Sequence, residues 1–254
     1  MSDAHARTAV PAALLAGDDL PSLPAVAVEV LNLCRREEVT LDDLAAVVAV
    51  DPALAAKLLR YSNSSLFNLG SQVTTLPRAM LVLGLKSVQL MALSFSLADS
   101  LPRAGHGFDY DTFWRRSLAL AVAGRLFADL TGGASQDEAF LCGLLGEIGR
   151  LVLARGSQGY GEEFADQAGW PERKRELQML GYHSGDVGGL LLEKWGLSPT
   201  ICLSVSALHD PTELTAHVPA DRRRMVDVLH GAHLAVEVLC DGSSGALELS
   251  LIHI

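Results

Sequence analysis

The sequence is poor in residues that carry the more recognisable kinds of chemistry. It has four cysteines in 254 residues, and Cys34, Cys142, Cys202 and Cys240 are widely separated with no CxxC spacing. That pattern offers neither a dithiol redox motif nor a zinc ribbon. Their apolar neighbours predict buried free thiols in a reducing, cytoplasmic setting. Positive charge is also scarce: 20 Lys and Arg face 30 Asp and Glu, a net charge of -10. This balance argues against partners bound mainly through phosphates, whether nucleic acid or an anionic membrane. No apolar stretch is long enough to span a bilayer without a charge or a helix breaker. The first residues, MSDAHARTAVPAALLAGDD, lack the apolar core and layout of a secretion signal. No glycine-rich loop leads into Lys-Ser or Lys-Thr and no GxSxG occurs, so phosphate-loop and serine-hydrolase chemistry have no support. No fixed-period repeat is visible, and no segment alternates convincingly as a strand.

What remains is apolar and helical. Hydrophobic residues make up 49% of the chain, ample for a sizeable core. The expected fold is all-α, in two helical lobes. Residues 1–19 read as a lead-in, 20–101 as the first lobe, 109–245 as the second, and 246–254 as a tail. Helix starts are written in capping residues. Thr40 with Asp43 opens Leu41 to Ala49, Asp51-Pro52 opens Ala53 to Tyr61, and Thr75 with Pro77 opens a helix running to Gly84. Ser135 with Glu138 opens the helix after Gly132-Gly133, Ser184 caps Val187 to Trp195, and Ser198-Pro199 starts Thr200 to Leu208. Leu23 to Arg36, Leu85 to Asp99, Asp111 to Leu130, Glu162 to Ala168, Glu172 to Leu180 and Asp221 to Cys240 complete the expected helices. The stretch Asp137 to Ala154, DEAFLCGLLGEIGRLVLA, is apolar on most sides, which predicts a single continuous helix at the centre of the second lobe.

The middle of that stretch, GLLGEIGRL, resembles the GLLHDIGKL signature of the HD phosphohydrolase superfamily, in which an adjacent His and Asp bind a catalytic metal. Two longer stretches resemble one family related to it, the HDOD (HD-related output) domain of bacterial signalling proteins. The first runs from LPSLPAVAVEVLNLCRREEVTLDDLAAVVAVDPALAAKLLRYSNSSLF into TTLPRAMLVLGLKSVQLMAL. The second runs from FWRRSLALAVAGRLFA through GLLGEIGRLVL to LEKWGLSPTICLSVSALHDP. The resemblance covers roughly residues 20–245 and implies a first helical module followed by a degenerate HD lobe.

The same resemblance places the superfamily's metal ligands on residues that mostly differ. The early His falls on Arg116, the His-Asp pair on Gly146 and Glu147, and a further His on Ser184, with His183 beside it. The His-His of the next helix falls on Leu208 and His209, and the late Asp near His233. This relict set of Arg116, Gly146, Glu147, His183, Ser184, His209 and His233 implies no bound metal, no cofactor and no catalysis. Arg116 and Glu147 are expected to form a charge-assisted pair in the metal's place, bracing the central helices.

Local readings of other polar residues are structural. His209-Asp210-Pro211 fits a helix end, where histidine favours the negative dipole. His183 and Ser184 fit a capped turn, and Asp137 and Asp186 fit helix first turns. The helix pair around DPALAAKLLRYSNSSLF resembles a helix-turn-helix in outline, but its second helix offers Arg78 alone to base edges, which argues against DNA reading. Arg222, Arg223 and Arg224 read as a solvated helix start, with acidic partners as the alternative. Tyr61, Asn63, Ser64 and Phe67 surround a turn-rich loop that reads either as a side-chain-capped turn or as a docking surface for a partner.

The expected function is a non-catalytic regulatory module in bacterial signal transduction that binds signalling proteins, in the cytoplasm, with self-association possible. The alternatives are a metal-dependent HD-type phosphohydrolase or phosphodiesterase, and a nucleotide-binding sensor using the relict hollow.

Overall fold

Short-range hydrogen bonds set where the helices begin. In the computed structural model, residues 10–12, 14, 25–34, 36, 38–63, 72–100, 108–157, 160, 173–213 and 218–241 are described. Thr40 and Asp43 close a reciprocal capping box, the Asp43 amide donating to Thr40 Oγ1 at 3.1 Å and the Thr40 amide to Asp43 Oδ2 at 3.0 Å. Asp51 Oδ1 accepts from the amides of Ala53 and Leu54, and Pro52 occupies the first helical position, where a missing N–H costs nothing. Thr75 has the extended backbone of a cap but makes no capping bond with its side chain. There the proline at the helix start carries the signal alone.

The described helices are α1 (Ala25–Cys34), α2 (Leu41–Ala49), α3 (Pro52–Ser62), α4 (Leu76–Leu83), α5 (Leu85–Ser100), α6 (Tyr110–Thr131) and α7 (Gln136–Leu145). They continue with α8 (Ile148–Gly156), α9 (Arg173–Leu180), α10 (Ser184–Lys194), α11 (Pro199–Ser206), a 3-10 turn at Pro211–Glu213, and α12 (Ala220–Asp241). No strand occurs among the described residues, so the fold is all-α. Among them, no helix is long and apolar enough to cross a membrane. The expected helix at Glu162 to Ala168 and the tail at 246–254 lie outside the described residues.

The chain divides into two compact units, Pro21–Pro102 and Met1–Leu20 with Arg103–Ile254. In the first, α1 packs on α2 and α5, and α3 on α4 and α5. Val30, Leu44, Leu54, Leu58, Met80 and Val88 form its buried core. In the second, α6 lies along α7 and α12, while α10 packs against α8 and α11. A Cβ on Gly143 would stand 2.5 Å from the carbonyl oxygen of Leu120 and 2.6 Å from the Cα of Ala121. The α6–α7 crossing therefore brings backbone onto backbone, a contact only glycine permits.

The stretch expected as one helix is two. α7 ends at Leu145 and α8 begins at Ile148, with Gly146 and Glu147 between them. Glu147 has φ -104° and ψ 13°, outside the helical range. This break turns the Glu147 side chain inward, where it is 1% exposed. Nothing in the local apolar spacing announces it, because Leu144, Leu145, Ile148, Leu151 and Val152 stay buried on both sides. The expected thiol burial holds at Cys142, whose pKa is pushed up by desolvation. Cys202, also a free thiol, is only half-buried, and the side chains of Cys34 and Cys240 lie outside the described residues.

Candidate functional site

Asn63 makes a structural clasp beside the first-lobe loop. Its Nδ2 donates to the carbonyls of Leu59 and Val73, both at 2.8 Å, and its Oδ1 accepts from the Val73 amide at 2.7 Å. One side chain thus ties the end of α3 to the chain returning after the loop. Ser64, Phe67 and the Tyr61 side chain lie outside the described residues. Asn63→Ala removes both clasping bonds to Val73, which is itself 3% exposed. The expected cost is roughly 2–3 kcal/mol, read as an earlier thermal transition of the first unit. An unchanged transition would show that the latch contributes nothing.

In the second unit, three of the relict positions converge. Glu147 lies at the α7–α8 break, His209 follows α11, and His233 lies inside α12. One ligand atom from each lies within 4.8 Å of the others. His209 Nε2 stands 3.3 Å from Glu147 Oε1, and its Nδ1 stands 3.2 Å from His233 Nε2. The two rings meet edge to face, centroids 4.7 Å apart. His233 Nε2 is also 3.3 Å from Oε1 of Glu237, one turn further along the helix. The chain is held in place beside His209 by His230, whose Nδ1 donates to the Leu208 carbonyl at 2.7 Å.

The electrostatics follow from burial and charge. Burial pushes the Glu147 carboxyl up, but the His209 charge beside it, with Arg150 and His233, outweighs this and leaves it at about 2. His209 is pulled down by its own burial and raised more by Glu147, ending above the usual histidine value. Burial likewise raises Glu237, and His233, His209 and Arg116 together bring it below the ordinary carboxylate range. At 3.3 Å the contact of His209 Nε2 with Glu147 Oε1 is an ion pair, and its charge together with a long side-chain hydrogen bond holds the carboxyl down.

The expected Arg116–Glu147 pair is therefore replaced. His209 is the cation that faces Glu147, and Arg116, buried at 6% exposure, lends its charge to Glu237. The non-helical backbone at Glu147 reorients its carboxylate away from where an unbroken helix would aim it. His209 also departs from its expected place. α11 stops at Ser206, so the ring is free of the helix end and turns into the cluster. Asp210 turns elsewhere, to Arg173 Nη1 at 3.0 Å and to the Thr212 amide at 3.0 Å.

The other relict positions are closed or engaged. A Cβ on Gly146 would lie 3.0 Å from Leu120 Cδ2 and 3.1 Å from Leu208 Cδ2, so a side chain there would require both leucines to shift. His183, expected beside a Ser184 cap, is itself the cap of α10: its Nδ1 accepts from the Gly185 amide at 3.0 Å and its Nε2 lies 3.3 Å from Asp186. Ser184 is the first helical residue, and its amide and hydroxyl donate to Glu176 Oε2 at 2.7 and 2.9 Å. Sequence reasoning missed Glu176 and Glu237. Glu237 has a legible signal in its i,i+4 spacing from His233; Glu176, in RKRELQML, has none.

Comparison with known proteins agrees with this architecture. The family model of the HDOD domain matches residues 20–211. A solved HDOD domain protein of unknown function from Geobacter sulfurreducens is 22% identical, with a TM-score of 0.74 over 87% of this chain and 74% of that one. A protein from Shewanella amazonensis SB2B, provisionally named a phosphohydrolase, is 26% identical, with a TM-score of 0.72 over 90% and 81%. One from Marinobacter aquaeolei VT8, provisionally named a signal transduction protein, is 23% identical, with a TM-score of 0.72 over 88% and 50%. An uncharacterised protein of Treponema pallidum (strain Nichols) is 22% identical over 89% of this chain. The chain spans 44% of the length of that relative.

Proposed function

Because this chain belongs to the HDOD domain family, we propose that it is a non-catalytic regulatory module of bacterial signal transduction, acting by binding partner proteins. The observation that carries the reading is the fate of the His-Asp position. Gly146 offers no side-chain ligand, and a Cβ there would already press on the side-chain ends of Leu120 and Leu208, while the Ser184 hydroxyl is committed to Glu176. A hydrolytic centre needs its ligands and its base converging at fixed distances, and two of the positions that the superfamily uses for this are filled by packing and by a structural hydrogen bond. Among the described residues, those that could still hold a metal are Glu147, His209 and His233. An ion there would supply Lewis-acid polarisation of a bound oxygen.

Two measurements test the proposal together. Incubated with bis-p-nitrophenyl phosphate and Mn2+ or Zn2+, the purified chain should release no more nitrophenolate than buffer. Turnover that Glu147→Gln abolishes would overturn the non-catalytic reading. Cross-linked capture from a bacterial lysate should enrich signalling proteins on the wild type and fewer on Phe67→Ala. Equal capture by both would remove the loop from the docking surface. Asn63→Ala is unsuited to this comparison, since its clasp on Val73 is structural.

A further inference from the structure

We propose that the outer face of α6 is a self-association surface, on which two copies of this chain pair antiparallel about a two-fold axis at Val122. α6 is 22 residues long and apolar on two sides. One side, carrying Phe113, Leu120, Ala121, Gly124 and Ala128, is buried where the helix lies along α7 and α12. The other carries Leu118, Val122 and Leu126, which are 50%, 56% and 53% exposed. At about 100° per residue these three fall within about 40° of one direction, and the buried set points the opposite way. Leu130, 74% exposed, extends the stripe along its edge. Four of the ten large apolar residues exposed among the described residues thus sit on this one helix. Single exposed apolar side chains are ordinary, whereas a continuous stripe marks a contact surface. A helix apolar on both faces is normally covered on both.

The charges that frame the stripe select a second copy of the chain as its cover. Arg115 lies seven residues before Val122 and Asp129 seven residues after it, both exposed and both on the stripe's side of the helix. In an antiparallel pair centred on Val122, a residue a given distance before it stands level with the partner's residue the same distance after it. Leu118 then meets the partner's Leu126, the two Val122 side chains meet at the axis, and Arg115 stands level with the partner's Asp129. Symmetry repeats the match at the other end, so one surface complements itself, as a two-fold interface requires. A parallel pair would set arginine against arginine and aspartate against aspartate, so charge selects the antiparallel arrangement. Local bonds steady both side chains without closing them off. Arg115 donates from Nη2 to Thr112 Oγ1 at 2.9 Å, and Asp129 takes the Gln136 amide on Oδ1 at 2.7 Å. A seam made by one helix from each chain is at the small end of interfaces, which sets the expected affinity in the micromolar range. The association needs only the purified chain, so it stands or falls apart from the non-catalytic, partner-binding reading.

The test is sedimentation equilibrium of the full purified chain over a micromolar concentration series. The wild type should pass from monomer to dimer across the series. Val122→Glu sets two carboxylates against each other at the axis and should weaken association on the order of a hundredfold. Arg115→Glu or Asp129→Arg alone brings like charges level at both ends of the seam and should weaken it about tenfold. The two changes together exchange the pair and should return the affinity to within about threefold of the wild type. All three side chains are exposed, so the substitutions leave the core untouched, and far-UV circular dichroism checks the helix content of each variant. A wild type that stays monomeric throughout overturns the proposal and leaves the stripe to a partner of another kind. A dimer that folded Val122→Glu keeps at wild-type affinity overturns it too, since the contact then lies on another face. A double exchange that recovers none of what each single change loses overturns the antiparallel register.

Discussion

Gly149→Ala is expected to lower the melting temperature of the second unit by about 10 °C or more. Gly149 is the second residue of α8, and a Cβ there would stand 1.9 Å from the carbonyl oxygen of Ser184 and 2.6 Å from the amide nitrogen of Gly188. Both atoms are backbone of α10, so no side chain can rotate out of the way. The facing residue, Gly188, would itself bring a Cβ within 3.3 Å of the Gly149 amide. α10 cannot retreat either, because Glu176 holds its first residue through the Ser184 amide and hydroxyl. Alanine's better helix propensity returns about 1 kcal/mol. Separating the two helices costs more, roughly 3–5 kcal/mol, or about 10 °C or more in melting temperature for a unit this size. Gly133→Ala is the comparator, since the nearest atom to its Cβ is the flexible Arg224 Cδ at 3.3 Å. Scanning calorimetry of both variants checks the claim, and equal melting temperatures would refute the close crossing of α8 and α10.

The same helices show what a sequence can and cannot announce. Caps are local chemistry: Thr40 with Asp43, Asp51 with Pro52, and Ser198 with the Ile201 amide each act within four residues, and each is legible as a pattern. Ser135 accepts from the Glu138 amide as its spacing implies. The break at Gly146–Glu147 is different. Its flanks keep a helical apolar pattern, and only the Glu147 backbone, at φ -104° and ψ 13°, shows it. The family resemblance put Glu147, His209 and His233 in one relict set of seven, and nothing in chain order singled out these three. Their convergence is a product of α11 stopping early and α12 returning beside it. The expected partner of Glu147 was wrong for that reason: Arg116 was the cation assigned by position, and His209 is the cation delivered by the fold.

Glu176→Ala is expected to rank with Gly149→Ala in cost, although the residue lies outside the relict set. The carboxylate is 1% exposed and accepts three hydrogen bonds: from the Ser184 amide at 2.7 Å, from the Ser184 hydroxyl at 2.9 Å, and from the Tyr160 hydroxyl. It ties α9 to the start of α10 and to Tyr160, which is 3% exposed. Truncation to alanine strands three buried donors, each worth about 1–3 kcal/mol when left without an acceptor. Partial relaxation toward water reduces the sum to an expected loss of roughly 3–5 kcal/mol. Two further variants separate the contributions. Tyr160→Phe deletes one donor and leaves the carboxylate its bonds to Ser184, for a loss of about 1 kcal/mol. Glu176→Gln can keep its oxygen on Ser184 and turn its N–H2 to the Tyr160 oxygen, but it loses the charge that strengthens these bonds, so it should fall between the two, near ~2 kcal/mol. The order alanine, glutamine, then Tyr160→Phe, measured by urea denaturation, is specific to a hydrogen-bonded hub. An alanine variant as stable as the wild type would show that the Glu176 side chain is not what anchors α10, and would remove the reason given for the Ser184 hydroxyl being held away from the Glu147–His209–His233 cluster.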